Sequence, residues 1–334
     1  MKIYEFKITP LSGLGTPLVG DTLFGQLCWQ FCYAPELAGQ TLDELLSDYG
    51  SNPFAVLSNA YPLFESGDSV RYAFRRPDMP LTFLFRKTVS DTAEMIRERK
   101  KLKAKKWMLL GESFLADGFS DSMFVTDEEI FKSSSLKSTS GKYSVAFSQP
   151  RNKINRFTGT TGEGFAPFNV MQEVYAPGVS LAVFAGIDTG RISAGSVLEA
   201  LGRIGQTGYG RDASTGLGRF DVAGFREVDF GRPDGADACF TLGPSLPGDV
   251  EWRDMFFNPV IRYGRHGGGL AGTRNPFKSP VRMAREGAVY VANDGGMPKN
   301  RYVGSAVIGV SITDPRAVTQ GYSLFIPFRL EAAI

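Results

Sequence analysis

Charged and hydrophobic residues alternate at the start of the chain. Residues 2–8 (Lys-Ile-Tyr-Glu-Phe-Lys-Ile) have this period of two, which is typical of a β-strand. From residue 22 the apolar positions recur every three or four residues, which indicates a helix with one buried face. These positions are Leu23, Phe24, Leu27 and Phe31. The pattern therefore predicts a strand over 2–8 and a helix over 22–33, with Asp21 as its N-cap.

Similar periods predict the next elements of the chain. Helices are expected over 41–48 and from the N-cap Ser193 to Ile204, and strands within 53–62 and over 170–175, 179–187 and 217–225. Pro177-Gly178 is a turn signal, so 170–175 and 179–187 are expected to form a hairpin. The main elements follow the order strand, helix, insertion, strand, strand, helix, glycine-rich loop, strand, in which 170–175 and 179–187 are the two strands after the insertion. This is the βαββαβ order of a ferredoxin-like fold.

The predicted fold class is α+β, with two ferredoxin-like (RRM-like) domains. The N-terminal domain is assigned to residues 1–230, with an insertion at about 65–140 that is expected to be an elaboration rather than core. A polar segment rich in glycine and proline then marks a boundary at 231. Residues 231–334 are expected to form a β-rich domain, as a degenerate second copy of the fold. Its predicted strands are 238–243, 258–263, 279–284, 288–292, 302–312 and 322–330.

The amino-acid composition indicates which general class of protein the chain belongs to. The 334 residues are 43% hydrophobic and 22% charged, with a net charge of +2, so the chain is expected to be globular. A net charge this low argues against a protein that covers bare nucleic acid alone. The three cysteines fit a reducing cytoplasm, and Cys28 and Cys32 are expected to be a buried apolar pair. No signal peptide or membrane span is predicted, so the expected location is the cytoplasm.

A glycine-rich loop at residues 205–219 is the main functional candidate. Five glycines, two arginines and three serine or threonine residues lie between the second predicted helix and the last strand of the βαββαβ unit. Glycine permits left-handed backbone, and successive amides in such a loop can bind anions. Arg211 and Arg219 add charge-assisted hydrogen bonds to phosphate. Tyr209 is a candidate for stacking on a base, although core packing is the ordinary role for such a ring.

Two other segments carry positive charge. Residues 151–161 combine basic and hydroxyl side chains of the kind that contact phosphates and riboses. Phe157 is a second stacking candidate, although packing in the core or against a wall is again the ordinary role for such a ring. Residues 97–106 contain the densest basic cluster in the chain. A solvated helix face, an RNA path and a contact with an acidic partner all remain open for it.

Several enzyme classes fit the sequence poorly. No stretch matches a phosphate-binding P-loop, and the glycine-rich loop precedes a strand, which is the wrong context for a dinucleotide fold. His266 is the one histidine, in a second glycine-rich turn, and is expected to be an incidental surface residue. No histidine or cysteine cluster suits a metal, and no cofactor is predicted.

Five stretches together resemble one family. They are residues 20–29 (Gly-Asp-Thr-Leu-Phe-Gly-Gln-Leu-Cys-Trp), 155–161 (Asn-Arg-Phe-Thr-Gly-Thr-Thr), 208–220, 278–281 with 286–287, and 320–327 (Gln-Gly-Tyr-Ser-Leu-Phe-Ile-Pro). In order and spacing the chain is similar to the RAMP (repeat-associated mysterious protein) superfamily of CRISPR systems. It is most similar to the type III, Csm-type subunit that caps the 5′ end of crRNA. The basic run at 97–106 has no place in that pattern.

The resemblance implies a non-catalytic role in antiviral defence. Such a subunit holds the repeat-derived 5′ tag of crRNA and bridges the large polymerase-like subunit to the backbone RAMP subunits of the effector complex. Carried onto this chain, it implies RNA contact at two places. The candidates are Lys153, Asn155, Arg156 and Thr158 in the basic segment, and Gly208, Gly210, Arg211, Ser214, Thr215, Gly216, Gly218 and Arg219 in the glycine-rich loop.

Two alternatives stay open at the level of sequence. The first is a metal-free endoribonuclease of the same superfamily that matures crRNA, although no histidine lies near the first helix. The second is a scaffold that contacts only proteins.

Overall fold

A computed structural model describes residues 1–66, 69–85, 92–115, 118–134, 136, 140–162, 164, 166–248, 250–293 and 296–330. The strands are β1 (Lys2–Pro10), β2 (Ala55–Ser66), β3 (Ser69–Arg75), β4 (Trp107–Gly111), β5 (Phe124–Val125), β6 (Ser144–Arg151), β7 (Phe168–Tyr175), β8 (Ser180–Ile187), β9 (Phe220–Val228), β10 (Ala238–Thr241), β11 (Trp252–Phe256), β12 (Pro259–Arg262), β13 (Val281–Ala284), β14 (Val289–Ala292), β15 (Tyr302–Gly304) and β16 (Tyr322–Phe328). The α-helices are α1 (Gly20–Tyr33), α2 (Leu42–Leu46), α3 (Leu81–Leu84), α4 (Thr92–Ala104), α5 (Asp127–Ser133) and α6 (Ala194–Thr207). No helix among these residues is long and apolar enough to cross a membrane.

A seven-stranded antiparallel sheet forms the centre of the N-terminal part, in the order β5-β4-β3-β2-β8-β1-β9. The α+β class is confirmed. The inner strands β1, β2, β8 and β9 alternate with α1 and α6 in a βαββαβ order, but β2 occupies the place that was predicted for the strand over 170–175. Helix α1 packs along β2, α6 packs along β9, and the two helices contact each other. Leu23, Phe24, Leu27 and Phe31 are buried as their spacing predicts.

The interpretation of residues 65–140 as an elaboration outside the core is wrong. Strands β3, β4 and β5 extend the main sheet beyond β2. Tyr72, Phe74 and Phe114 are fully buried and pack around Phe184 of β8. The three successive residues Tyr72–Phe74 are all buried, so β3 has no period of two that would have marked it as a strand of the core.

Two local predictions are also wrong. The turn at Pro177-Gly178 exists, with the Val179 amide donating to the Ala176 carbonyl, but it does not close a hairpin. Strand β7 pairs with β6, whereas β8 inserts between β1 and β2. Helix α1 has Val19 as its N-cap, because the Asp21 carboxylate turns to Arg262 instead of capping.

The C-terminal part contains a five-stranded sheet, β11-β14-β10-β16-β15, and the separate pair β12-β13. The predicted strands are present, but the one over 302–312 is only β15, and β11 was not predicted. Buried hydrogen bonds join this part to the main sheet: the Gln320 amide donates to the Leu57 carbonyl at 2.8 Å and accepts from the Leu57 N–H at 2.9 Å. The domain boundary at 230/231 remains a prediction.

The ion pair between Asp21 and Arg262 is the strongest polar link between α1 and β12. The guanidinium donates from Nε and Nη2 to the two carboxylate oxygens at 2.8 Å each, and the Asp21 side chain is 8% exposed. Removing the arginine leaves a buried carboxylate without its bidentate partner.

We expect Arg262→Ala to lower the free energy of unfolding by about 1–3 kcal/mol. The matched control is Arg316→Ala, which removes an exposed pair with Asp43 and is expected to cost less than about 1 kcal/mol. Urea denaturation of both variants measures the difference. Equal losses would contradict a structural role for the Asp21–Arg262 pair.

Candidate nucleic-acid interface

The glycine-rich loop leaves the end of α6 with repeated left-handed backbone. Gly208, Gly210, Gly216 and Gly218 have φ values of +98°, +74°, +93° and +76°, and Asp212 has +62°. A short 3₁₀ turn at Ala213–Thr215 interrupts the loop. Among the described residues, the amides of Asp212, Ala213 and Ser214 have no acceptor. The loop therefore presents a run of free N–H donors, the arrangement that suits an anion.

The loop is held in place by the segment between β1 and α1. The Gly218 amide donates to the Gly13 carbonyl at 2.9 Å, and the Arg211 amide donates to Thr16 Oγ1 at 3.0 Å. At the far end, the Arg219 amide donates to Ser12 Oγ at 2.9 Å. These contacts fix the backbone of the loop, so its outer side chains project from a rigid base.

Tyr209 is part of that base. Its side chain is fully buried, and its hydroxyl donates to the Pro17 carbonyl and accepts from the Val19 amide. Burial raises the pKa of this hydroxyl well above its usual range. The stacking role considered for Tyr209 is therefore wrong, and its role is to anchor the loop over the start of α1.

The ribbon of β6 and β7 lies directly beside the loop. Arg151, at the end of β6, donates from Nη1 to Thr215 Oγ1 at 3.0 Å. In the other direction, Arg211 Nη2 donates to the Met171 carbonyl of β7 at 2.6 Å. The two candidate segments are thus brought together, and Arg151 is a link between them that sequence reasoning did not single out.

The tip of the ribbon is an exposed turn. The Asn155 side chain accepts from the Phe157 amide at 2.9 Å, and the Asn155 amide donates to the Thr160 carbonyl at 3.0 Å. The Phe157 ring is 100% exposed, which suits stacking on a base. Within the described residues, the side chains of Lys153 and Arg156 have no carboxylate partner, so their charge is available to a ligand.

The predicted RNA-binding residues fall into two groups. Gly208 and Gly218 are buried and shape the loop. The others have exposed or half-exposed positions on the loop or on the ribbon tip, which are Gly210, Arg211, Ser214, Thr215, Gly216, Arg219, Lys153, Asn155, Arg156 and Thr158. Their contact with RNA stays a prediction.

A cleft of about 880 Å³ opens from the loop toward the C-terminal part, and sequence reasoning missed it. Gly210 and Arg211 stand at the loop end, and α1 forms one wall with Trp29. Lys278 lies on the opposite wall, where its ammonium donates to the Val318 carbonyl and burial lowers its pKa.

His266 also lines this cleft, and the prediction of an incidental surface residue is wrong. It is only 6% exposed, and Nε2 lies 2.7 Å from Ser311 Oγ. Burial, together with the positive charge of Lys278, lowers its pKa. The ring is therefore neutral at pH 7.

The two cysteines of α1 do not form the expected buried pair. Cys32 is exposed, and Cys28 lies half-buried on the cleft wall. Burial raises the pKa of the Cys28 thiol to about 12, so this group is a neutral thiol at pH 7. Cys28 therefore offers no reactive thiolate.

No known family profile matches the chain, and no curated protein is a detectable relative. Solved structures do match it. A crystal structure of a Csm1–Csm4 cassette in complex with cA4 is 16% identical with a TM-score of 0.54, covering 98% of this chain and 97% of the matched chain. The same cassette with pppApA gives 16% and 0.52. A Csm3–Csm4 subcomplex of the type III-A CRISPR-Cas interference complex gives 13% and 0.52, covering 98% and 100%.

Csm4 is the component that all three structures contain. Identities this low show the fold alone, but the similarity extends over almost the entire length of both chains. It also agrees with the motifs that connected the sequence to the RAMP superfamily. The chain therefore has the fold of the Csm-type subunits of the RAMP superfamily.

Proposed function

We propose that this chain is a non-catalytic, RNA-binding subunit of a type III CRISPR effector complex in the cytoplasm. In this role it holds the repeat-derived 5′ tag of crRNA and bridges the large polymerase-like subunit to the backbone subunits. The observation that carries the proposal is the joining of the glycine-rich loop to the β6-β7 ribbon through Arg151 and Arg211.

The chemistry of these two segments suits single-stranded RNA. Such a strand exposes phosphates, 2′-hydroxyls and unstacked bases, and proteins bind it with cations, amides and aromatic rings. The loop offers free amides and hydroxyls on a rigid base, and the ribbon tip offers Lys153, Arg156 and the exposed Phe157 ring. Phosphate and base contacts are therefore available on adjacent surfaces.

The solved structures support the bridging role. One of the similar structures pairs Csm4 with Csm1, and another pairs it with Csm3. A subunit with this fold is thus found with two different neighbours. We propose the same for this chain, with the large subunit on one side and a backbone subunit on the other.

We also propose the domain division at 230/231. The five-stranded sheet lies wholly C-terminal to that point, and the seven-stranded sheet lies wholly N-terminal to it. In the described residues the C-terminal part has no α-helix, so a second ferredoxin-like copy would have lost its helices.

The runner-up function is a metal-free crRNA-processing endoribonuclease. The observation that favours it is the position of His266 on the cleft wall, 2.7 Å from Ser311. A neutral imidazole can take a proton from a 2′-hydroxyl. Against this, its Nε2 is already bonded to Ser311 and the side chain is almost fully buried.

Incubating the purified chain with its repeat RNA in the absence of metal separates these functions. We expect bound, intact RNA with the wild-type chain and with His266→Ala, because the proposed role needs no proton transfer. Denaturing gels measure the intact fraction over time. Site-specific cleavage that disappears in His266→Ala would overturn the non-catalytic assignment.

A further inference from the structure

Helix α4 (Thr92–Ala104) and the two residues that follow it carry the chain's densest positive charge. Seven of the ten residues from Arg97 to Lys106 are lysine or arginine, against the single carboxylate of Glu98. This segment has a net charge of +6 while the chain has +2, so the rest of the chain is net negative. We propose that α4 binds the sugar-phosphate backbone of single-stranded RNA that continues beyond the glycine-rich loop. The inference rests on the proposed function and extends the RNA footprint past the tag.

The cations of α4 face solvent and are mostly unpaired. From Ile96 to Ala104, only Glu98 and Leu102 are half-buried, and these two lie four residues apart on the inward face of the helix. Lys101 pairs with Glu98 at 2.8 Å. In the described part of the chain, no carboxylate pairs with Arg97, Arg99, Lys100 or Lys103. Four strong charges are therefore left for a ligand.

These charges work against the helix itself. Arg97 is three and four residues from Lys100 and Lys101, and Lys103 is three and four residues from Lys100 and Arg99. Like charges at these spacings repel each other on a helix. Within the described residues, the four cations Arg97, Arg99, Lys100 and Lys103 repel one another without a carboxylate partner, and an external anion best explains such a cluster.

The helix is anchored without the help of the four unpaired cations. Arg76, from the segment after β3, donates from Nη1 to the Leu102 and Lys105 carbonyls at 2.8 Å each. Lys105 lies over the Phe85 ring, and Lys106 pairs with Asp127. The C-terminal end of α4 is therefore fixed to the sheet, and the four unpaired cations of the helix remain free to bind a ligand.

A second cleft, of about 470 Å³, connects this region to the glycine-rich loop. Thr16 and Val19 line one end, next to the segment that supports the loop, and Lys106 and Trp107 line the other. Tyr175 and two glutamates also line this cleft. The cleft therefore joins the segment that supports the loop to the end of α4.

RNA fits this surface better than an acidic protein does. Protein interfaces are centred on apolar residues and contain few lysines. From residue 96 to residue 104, where side chains are described, α4 exposes one large apolar side chain, Ile96, among its cations. Lysine and arginine side chains that are distributed along more than half of the length of a helix can contact successive phosphates of an RNA strand.

The test is equilibrium binding of the purified chain to mixed-sequence single-stranded RNA of about 8 and about 30 nucleotides over a range of salt concentrations. The variant carries Arg97→Gln, Arg99→Gln, Lys100→Gln and Lys103→Gln. We expect at least about a tenfold loss of affinity for the longer RNA, and a salt slope that is lower by about 3, from about 0.7 per lost phosphate contact. Affinity for the shorter RNA should not change, and the melting temperature should stay the same or rise.

A control variant removes the same charge from exposed, ion-paired cations elsewhere. Its changes are Lys2→Gln, Arg203→Gln, Arg253→Gln and Arg301→Gln. An equal loss in this control would overturn the inference, because net charge alone would explain it. Unchanged binding of the longer RNA by the α4 variant would overturn it while leaving the proposed function intact. Binding of polyglutamate, but of no RNA, through α4 would overturn both in favour of an acidic protein partner.

Discussion

Gly218→Ala is expected to lower the free energy of unfolding by about 2–5 kcal/mol, from left-handed strain and overpacking together. Gly218 has φ +76°, and an added Cβ would lie 2.1 Å from the Tyr209 carbonyl oxygen. The Tyr209 amide donates to the Gly218 carbonyl at 2.9 Å, so the two backbone segments are held together and Tyr209 cannot move away without displacing its buried ring. Urea denaturation followed by circular dichroism measures the loss.

Gly216→Ala is the matched control for this effect. Gly216 lies in the same loop with φ +93°, but no atom lies within 4 Å of its added Cβ. We expect a cost of only about 1–2 kcal/mol, from backbone strain without a clash. If Gly218→Ala cost no more than Gly216→Ala, the close approach of the loop to Tyr209 would be refuted.

Replacing Arg156 and Arg211 with alanine is expected to have the largest effect on RNA binding. Each change should weaken binding by about 1–3 kcal/mol, the range for a lost charge-assisted hydrogen bond, which corresponds to about 5- to 150-fold in Kd. The two arginines lie on the ribbon tip and on the loop, so the double variant removes a cation from both sides of the interface. Fluorescence anisotropy with tag-containing single-stranded RNA measures each Kd.

Arg203→Ala is a suitable control, because Arg203 is an exposed cation on α6 that pairs with Glu199. It should leave the Kd unchanged. Arg211 also donates to the Met171 carbonyl, so the melting temperature of each variant must be compared with that of the wild-type chain. A folded double variant that retains RNA as well as the wild-type chain does would rule out this interface.

Strands and helices with one buried face were predictable from the periodicity of their apolar residues. The alternation in β1 and the helical spacing in α1 and α6 predicted their positions to within a few residues. In α6 the N-cap was also correct, since Ser193 Oγ accepts from the Ser196 amide at 2.9 Å. The spacing of apolar residues and the capping side chain determine where such elements form, and both can be identified in the sequence.

Long-range pairing was not predictable in the same way. The turn before β8 was correct, but the partner of β7 depends on which strand fills the neighbouring position in the sheet. Tyr209 and His266 were judged by their glycine-rich surroundings. Their burial comes instead from Pro17 and Ser311, which are far away in the chain.

The candidate site was predictable only in part, because some of its residues are marked by local sequence and others are brought in by tertiary contacts. Glycine, arginine and hydroxyl residues marked the loop and the ribbon tip before any contact between them was known. Arg151 and the cleft beside α1 depend on tertiary contacts, and no short motif indicates them. The one signal that pointed toward Arg151 is that it is the first basic residue of the candidate segment 151–161.

The most direct test of the proposed function is to co-purify the chain with the products of its neighbouring genes and to sequence the RNA that is retained. The proposed function predicts a stable complex that contains small RNAs sharing one 5′ tag, with that tag protected from nuclease only when this chain is present. A complex without such RNAs, or a chain that purifies alone and free of RNA, would contradict it.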